Sequence, residues 1–176
     1  SPGKHGRIHR DKYQARNEPM PVALVVGGDP LQFLVACSEM PYGVCELDIA
    51  GGLRGKPVKV VKGPVTGLPT PANAEMVIEG EVLLDQMAPE GPFGEMYGYL
   101  GLRKEQNFVM QVNCVTARKN PWMLNQFTGA TRGFCTAPLE AFSFHRLKKL
   151  IPNAVAFHSP VEWTGIGFLS IDKTAP

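Results

Sequence analysis

Charge of one sign is scarce in this chain. Lysine and arginine number 18 against 16 aspartates and glutamates over 176 residues, a formal net charge of +2. No broad basic surface for nucleic acid is implied. Long apolar runs are absent: none approaches the roughly 20 residues needed to cross a bilayer. Cysteine is sparse and unclustered. Cys37, Cys45, Cys114 and Cys135 form no CxxC pair, which excludes the common zinc and dithiol motifs. The expectation is buried free thiols in a reducing, cytoplasmic setting. No signal-peptide pattern opens the chain and its first residue is not Met; the expectation is an excised, processed or engineered piece, or a short subunit with a partner. Gly27-Gly28-Asp29-Pro30 precedes a helix start but matches neither GxGxxG nor GxxxxGK[ST].

What is present points to a turn-rich β protein. Glycine (19) and proline (16) are plentiful, while the 44% hydrophobic and 19% charged contents are those of an ordinary globular domain. The basic run SPGKHGRIHRDKYQAR reads as an N-terminal arm over residues 1–20, solvated or meeting an anionic ligand. The apolar run Pro21–Val26 predicts a buried strand. Asp29 then offers an N-cap and Pro30 a first helical residue for LQFLVACSEM. A second short helix is expected over Glu46–Leu53. Val58–Val61, Glu75–Val82 and Phe108–Arg118 read as strands, Thr136–Leu150 as a helix, and Val155–Phe157 and Gly165–Ile171 as closing strands. The expected plan for residues 21–176 is mainly antiparallel β with three inserted helices, arranged as a partly open barrel.

Two constellations carry chemistry. PEGPFGEMYGY holds Glu90 and Glu95 on a segment stiffened by proline and loosened by glycine. Two carboxylates sharing a site cannot both ionise easily, so one keeps its proton and becomes a general acid. The plain alternative, which spacing alone favours, is a tight turn with two exposed glutamates. His5 and Glu46 form a normal donor pair for Mn²⁺ or Mg²⁺, although two ligands do not specify a site. Cys45, beside Glu46, is expected to pack against its helix, because thiolate is softer than Mn²⁺ prefers. His9, His145 and His158 match no functional position. Trp122 and Trp163 are expected to pack at strand ends. Phe142 and Phe144 are candidates for a pocket wall or for the core.

The stretches SPGKHGRIHRDKY, PVALVVGGDP, MPYGVCELDIAGGLRG, PTPANAEMVIEGEV and APEGPFGEMYGY, in this order, resemble the UbiD family of prenylated-FMN-dependent decarboxylases. The resemblance runs from about His5 to Asp172 and covers only the middle of the family's usual protein. It implies a split β-barrel of the flavin-reductase type and reversible decarboxylation of an aromatic or α,β-unsaturated carboxylic acid. It also implies prenylated FMN tied down through Mn²⁺ and K⁺. His5 and Glu46 match the family's metal ligands. Cys37, Ser38 and Met40 match the segment whose carbonyls hold K⁺, and Lys4 matches a cofactor-contacting position. Glu95 matches the proton donor, and Glu90 the acid that pairs with an arginine.

That arginine, a metal-binding asparagine and a C-terminal domain have no counterpart in these 176 residues. The resemblance thus also implies further domains of the same enzyme or a complementary subunit, and a homo-oligomer when these are joined. Two other readings stand beside it. One is a non-catalytic flavin-binding or interaction module that kept the barrel. The other is a flavin reductase using ordinary FMN, which needs no acid pair.

Overall fold

A computed structural model describes residues 5–38, 40–94, 100–123, 136–160 and 166–173. Two compact units are distinguished, Ser1–Pro92 with Leu102–Asn125, and Phe93–Gly101 with Gln126–Pro176. The first contains α1 (His5–Ala15), β1 (Met20–Val26), α2 (Pro30–Ala36), α3 (Glu46–Arg54), β2 (Val60–Lys62), β3 (Pro69–Pro71), β4 (Met76–Glu90) and β5 (Lys104–Ala117). The second contains α4 (Thr136–Leu150), β6 (Ala154–His158) and β7 (Phe168–Ile171).

The main sheet has the order β1-β4-β5 and is antiparallel throughout. β4 lies at its centre because it is long enough, at 15 residues, to pair with both neighbours. Ala23 and Cys114 flank Glu79, but Gly80 faces Val112, so Asn113 is an extra residue on β5. This bulge brings the strands so close that a Cβ on Gly80 would stand 2.0 Å from the Gln111 carbonyl oxygen. β2 and β3 form a separate hairpin. β3 escapes sequence reading because Pro69-Thr70-Pro71 carries no strand pattern. Thr70 is nevertheless buried, and its hydroxyl donates to the Val61 carbonyl at 3.2 Å. The described strands form one three-stranded and two two-stranded sheets, with no closed barrel among the described residues.

The helix starting at Pro30 forms as the sequence predicts. The Asp29 carboxylate accepts from the Leu31 N–H at 3.0 Å, capping α2. It also pairs with Arg54 in the last turn of α3, so one buried side chain fastens the start of one helix to the end of the next. α2 stops at Ala36, earlier than predicted. There Ser38 N–H bonds back to Val35 and Ser38 Oγ donates to the Leu34 carbonyl at 2.9 Å. Asp29→Ala should therefore destabilise the fold by about 1–2 kcal/mol, the usual range for a lost cap plus a paired charge. Asp29→Asn, which keeps the cap and loses the charge, should recover part of this in urea unfolding.

Several expectations are corrected. Residues 5–15 of the arm form a helix, none of whose residues is fully buried. Arg10 stacks its guanidinium 4.0 Å from the centre of the Phe108 ring on β5, and Ile8 and Tyr13 are half-buried, so α1 has a face to bury. The thiols are not buried: Cys37 and Cys45 are exposed and Cys114 is intermediate. The first two sit at helix ends rather than on buried helix faces, so Cys45 is a cap position and not a packing residue. Trp122 is 82% exposed, although its backbone N–H donates to the Glu75 carboxylate just before β4 at 3.0 Å. Cys135 and Trp163 lie outside the described residues.

In the second unit, β6 pairs with β7, and Glu140 on α4 bonds both the His158 ring at 3.1 Å and the Ser159 N–H at 3.0 Å. Phe142 and Phe144 are half-buried on α4. Among the described residues no helix is long and apolar enough to cross a membrane.

Candidate functional site

Two of the predicted site residues meet. His5 opens α1 and Glu46 opens α3, and both line one open cleft of ≈ 430 Å³ with His9, Tyr42, Gly43, Val44 and Cys45. Glu46 lies in the first turn of its helix, where the exposed N–H groups favour a negative side chain. Cys45 is the N-cap but makes no side-chain capping bond. Among the described residues, no three His, Cys, Asp or Glu side chains converge as a metal-holding group. An imidazole and a carboxylate by themselves do not specify a metal site. A larger cleft of ≈ 530 Å³ shares Cys45 but is lined mainly by glycine, proline and aliphatic residues, including Gly51, Gly52, Val58 and Val60. Its charged side chains are Asp48 and Lys56, whereas the smaller cleft brings two histidines beside Glu46.

Cys37 and Ser38 close α2, where a helix turns its last carbonyls outward. The Ser38 hydroxyl donates to the Leu34 carbonyl, which fixes its proton and leaves its oxygen lone pairs free to accept. Met40 is half-buried between α2 and α3 in sequence. Lys4 and Glu95 lie outside the described residues.

Glu90 is the last residue of β4 rather than part of a loop. In register it faces Lys104, whose Nζ stands 4.0 Å from the carboxylate, and Asn107 Nδ2 donates to the same oxygen. Downstream, Gly94 and Leu100 form an antiparallel bridge, and Gly101 N–H bonds the Phe93 carbonyl at 2.8 Å. Glu95 belongs to the segment between the two bridge residues.

Sequence reasoning missed Lys104 and Asn107, which only the strand register brings to Glu90. It set aside His9, although the spacing of four from His5 places both on one helix face. Tyr42 gave no signal. It also missed Glu79, which is fully buried. The Thr66 hydroxyl and N–H donate to one oxygen of Glu79 at 2.5 and 3.0 Å. The hydroxyl bond holds the carboxyl below the ordinary glutamate value of about 4.5, against desolvation, and the Thr66 and Val65 N–H groups assist. Gly63 makes room for it, since a Cβ there would lie 2.0 Å from that carboxylate.

The comparisons with known proteins agree with one another. Residues 1–131 match the family described as UbiD: 3-octaprenyl-4-hydroxybenzoate carboxy-lyase Rift-related domain. The chain is 42% identical over 98 residues to a pyrrole-2-carboxylic acid decarboxylase of Pseudomonas aeruginosa, covering 56% of this chain and 20% of that protein. It is 35% identical over 128 residues to a phenolic acid decarboxylase of Streptomyces sp., covering 72% and 27%. Among solved structures it superposes on the UbiD-class enzyme HmfF of Pelotomaculum thermopropionicum in complex with FMN, with a TM-score of 0.85 and 27% identity, over 97% of this chain and 39% of that one. An evolved dimeric form of that enzyme, solved with prFMN, gives a TM-score of 0.84. The chain thus spans between a fifth and two fifths of the length of these proteins. With the family matched over most of its residues, this chain belongs to the UbiD carboxy-lyase family.

Proposed function

We propose that this chain supplies part of the active site of a prenylated-FMN-dependent decarboxylase. Its substrate class is aromatic or α,β-unsaturated carboxylic acids, and its core is a split barrel of the flavin-reductase type that the rest of the protein completes. The observation that carries the reading is the meeting of His5 and Glu46, from two separate helices, around one cleft. A neutral imidazole and a carboxylate suit Mn²⁺ better than the neighbouring Cys45 thiol does. In this reading the two side chains would hold the divalent ion that helps bind the cofactor, and Lys4 would contact the cofactor. Backbone carbonyls of the Cys37, Ser38 and Met40 segment hold K⁺. When bound, prenylated FMN supplies the electron sink for loss of CO₂.

The chain's own task is then proton delivery. Glu95 gives the product carbon its proton. Glu90 is the partner of an arginine from elsewhere in the protein, and within this chain it meets Lys104 Nζ at 4.0 Å and accepts from Asn107 Nδ2 at the end of the sheet. Large apolar side chains left exposed, among them Leu102 at 91% and Trp122 at 82%, suit contact with further domains of the same protein and with a second copy of it.

The test is metal and flavin content of the natural polypeptide that carries this chain. His5→Ala and Glu46→Ala should each weaken Mn²⁺ binding by more than about 100-fold, beyond the loss typical of an outer partner, and remove the flavin absorbance. Far-UV circular dichroism should be unchanged. Wild-type metal and flavin content in either variant would refute the assignment. Full cofactor content without turnover on any such acid would favour the non-catalytic flavin-binding module.

A further inference from the structure

We infer that Tyr42 is the positioning residue of the metal site, holding His5, and with it α1, in register with Glu46. The inference rests on the reading of His5 and Glu46 as metal ligands. Residues 5, 9 and 12 of α1 fall on one helix face, one turn apart. All three converge on the same ring. The His5 imidazole meets Tyr42 edge-on, with ring centroids 5.4 Å apart and planes at 78°. His9 lies at 5.9 Å and 39°. Lys12 Nζ stands 5.0 Å from the ring centre and donates to the tyrosine hydroxyl. On its other side Tyr42 belongs to the tight turn in which Val44 N–H bonds the Pro41 carbonyl at 3.1 Å. That turn runs directly into Cys45 and Glu46 at the start of α3.

One aromatic ring therefore links the helix carrying the histidine to the helix carrying the glutamate. The need for such a link is physical. The imidazole torsion of a histidine is soft and roughly two-fold, and a ligand nitrogen must keep its lone pair aimed at the ion. In metal sites a neighbouring group normally fixes that angle. Here the edge-on tyrosine ring fills that place. Tyr42 is 51% exposed, so its removal should cost the fold little while it costs the site its geometry. The hydroxyl bond to Lys12 lies at the exposed end of the ring and is secondary.

Three variants of the natural polypeptide test this: Tyr42→Leu, Tyr42→Phe and His5→Ala, each titrated with Mn²⁺ and followed by the electron paramagnetic resonance of the free ion. A metal-free readout is the proton NMR of the histidine rings, which the tyrosine ring current displaces in His5 and His9. Tyr42→Leu should weaken Mn²⁺ binding by roughly 10-fold, the lower range for outer partners of metal ligands, and abolish both ring-current displacements. Tyr42→Phe should keep the displacements and bind Mn²⁺ within about 3-fold of wild type, since a supporting group that retains its packing retains most of its effect. Thermal unfolding should change little in either. Wild-type affinity in Tyr42→Leu with lost affinity in His5→Ala would overturn the inference and leave the metal site standing. Equal losses in Tyr42→Leu and Tyr42→Phe would assign the effect to the hydroxyl and overturn the role of the ring. Undiminished binding in His5→Ala would remove the metal site itself, and the inference with it.

Discussion

Glu95→Gln in the natural polypeptide should abolish decarboxylation and stop solvent deuterium from entering the product carbon, while flavin and metal remain bound. The amide is nearly isosteric with a protonated carboxyl but has no proton to transfer. A positioned general acid accounts for roughly 10²–10⁴ of rate, so turnover should fall at least that far. Glu90→Gln should also slow the reaction, by another route. In the proposed mechanism Glu90 is the charged partner of the proton donor; within this chain it meets Lys104 Nζ at 4.0 Å and Asn107 Nδ2. If the acids act as a coupled pair, the two losses should not add in the double variant. Lys104→Met should give a milder version of the Glu90 effect, because it removes one of the contacts that hold the Glu90 side chain. Normal deuterium exchange in Glu95→Gln would move the proton donor elsewhere. Strictly additive losses would make Glu90 an independent strand-end residue.

The largest stability effect is expected at Glu79, whose side chain is buried in the middle of β4 and tied to Thr66 in the loop of the β2–β3 hairpin. Glu79→Ala removes the acceptor of two donors and opens a hole between hairpin and sheet. The thermal midpoint should drop by several degrees, more than for any surface glutamate. Glu79→Gln should drop it less, because one oxygen still meets Thr66. The pH dependence has a definite sign. Hydrogen bonds hold the folded carboxyl below its ordinary value of about 4.5. The ionised form therefore stabilises the fold fully above that pH, and the contribution is lost as pH falls through the lower folded value. Unfolding midpoints measured from pH 6 down to pH 3 should fall more steeply in wild type than in Glu79→Gln. Parallel curves would mean that the Glu79 carboxyl titrates alike in the folded and unfolded chain, and a shallower fall in wild type that the fold holds it protonated. Gly63→Ala is a companion test: its Cβ would collide with the same carboxylate, so it should reproduce part of the Glu79→Ala loss.

Local signals in the sequence were enough for much of this protein. Asp29-Pro30 announces α2 because an N-cap acceptor and a fixed φ act within one turn. Thr136–Leu150 is a helix and Met20–Val26 a strand for equally local reasons, although the strand is not buried as expected, since Leu24 and Val25 are exposed. The ordered motifs from SPGKHGRIHRDKY to APEGPFGEMYGY named the family, which the matched residues 1–131 bear out. Other features needed the chain to meet itself. β4 extends to Glu90 only because β5 continues to pair with it, which turns an expected loop residue into a strand end opposite Lys104. Helix α1 looks like a charged arm until Phe108 and Tyr42 give its faces partners. Glu79 reads as a solvent-facing position of an alternating strand, and Val77 on the same face is its only local hint of burial. Whether that face is covered depends on a hairpin that returns with Thr66 and Gly63 from earlier in the chain. Capping and backbone geometry act over neighbouring residues and can be read in order. Burial and ion pairing depend on distances between segments far apart in sequence, and these exist only once the chain has folded.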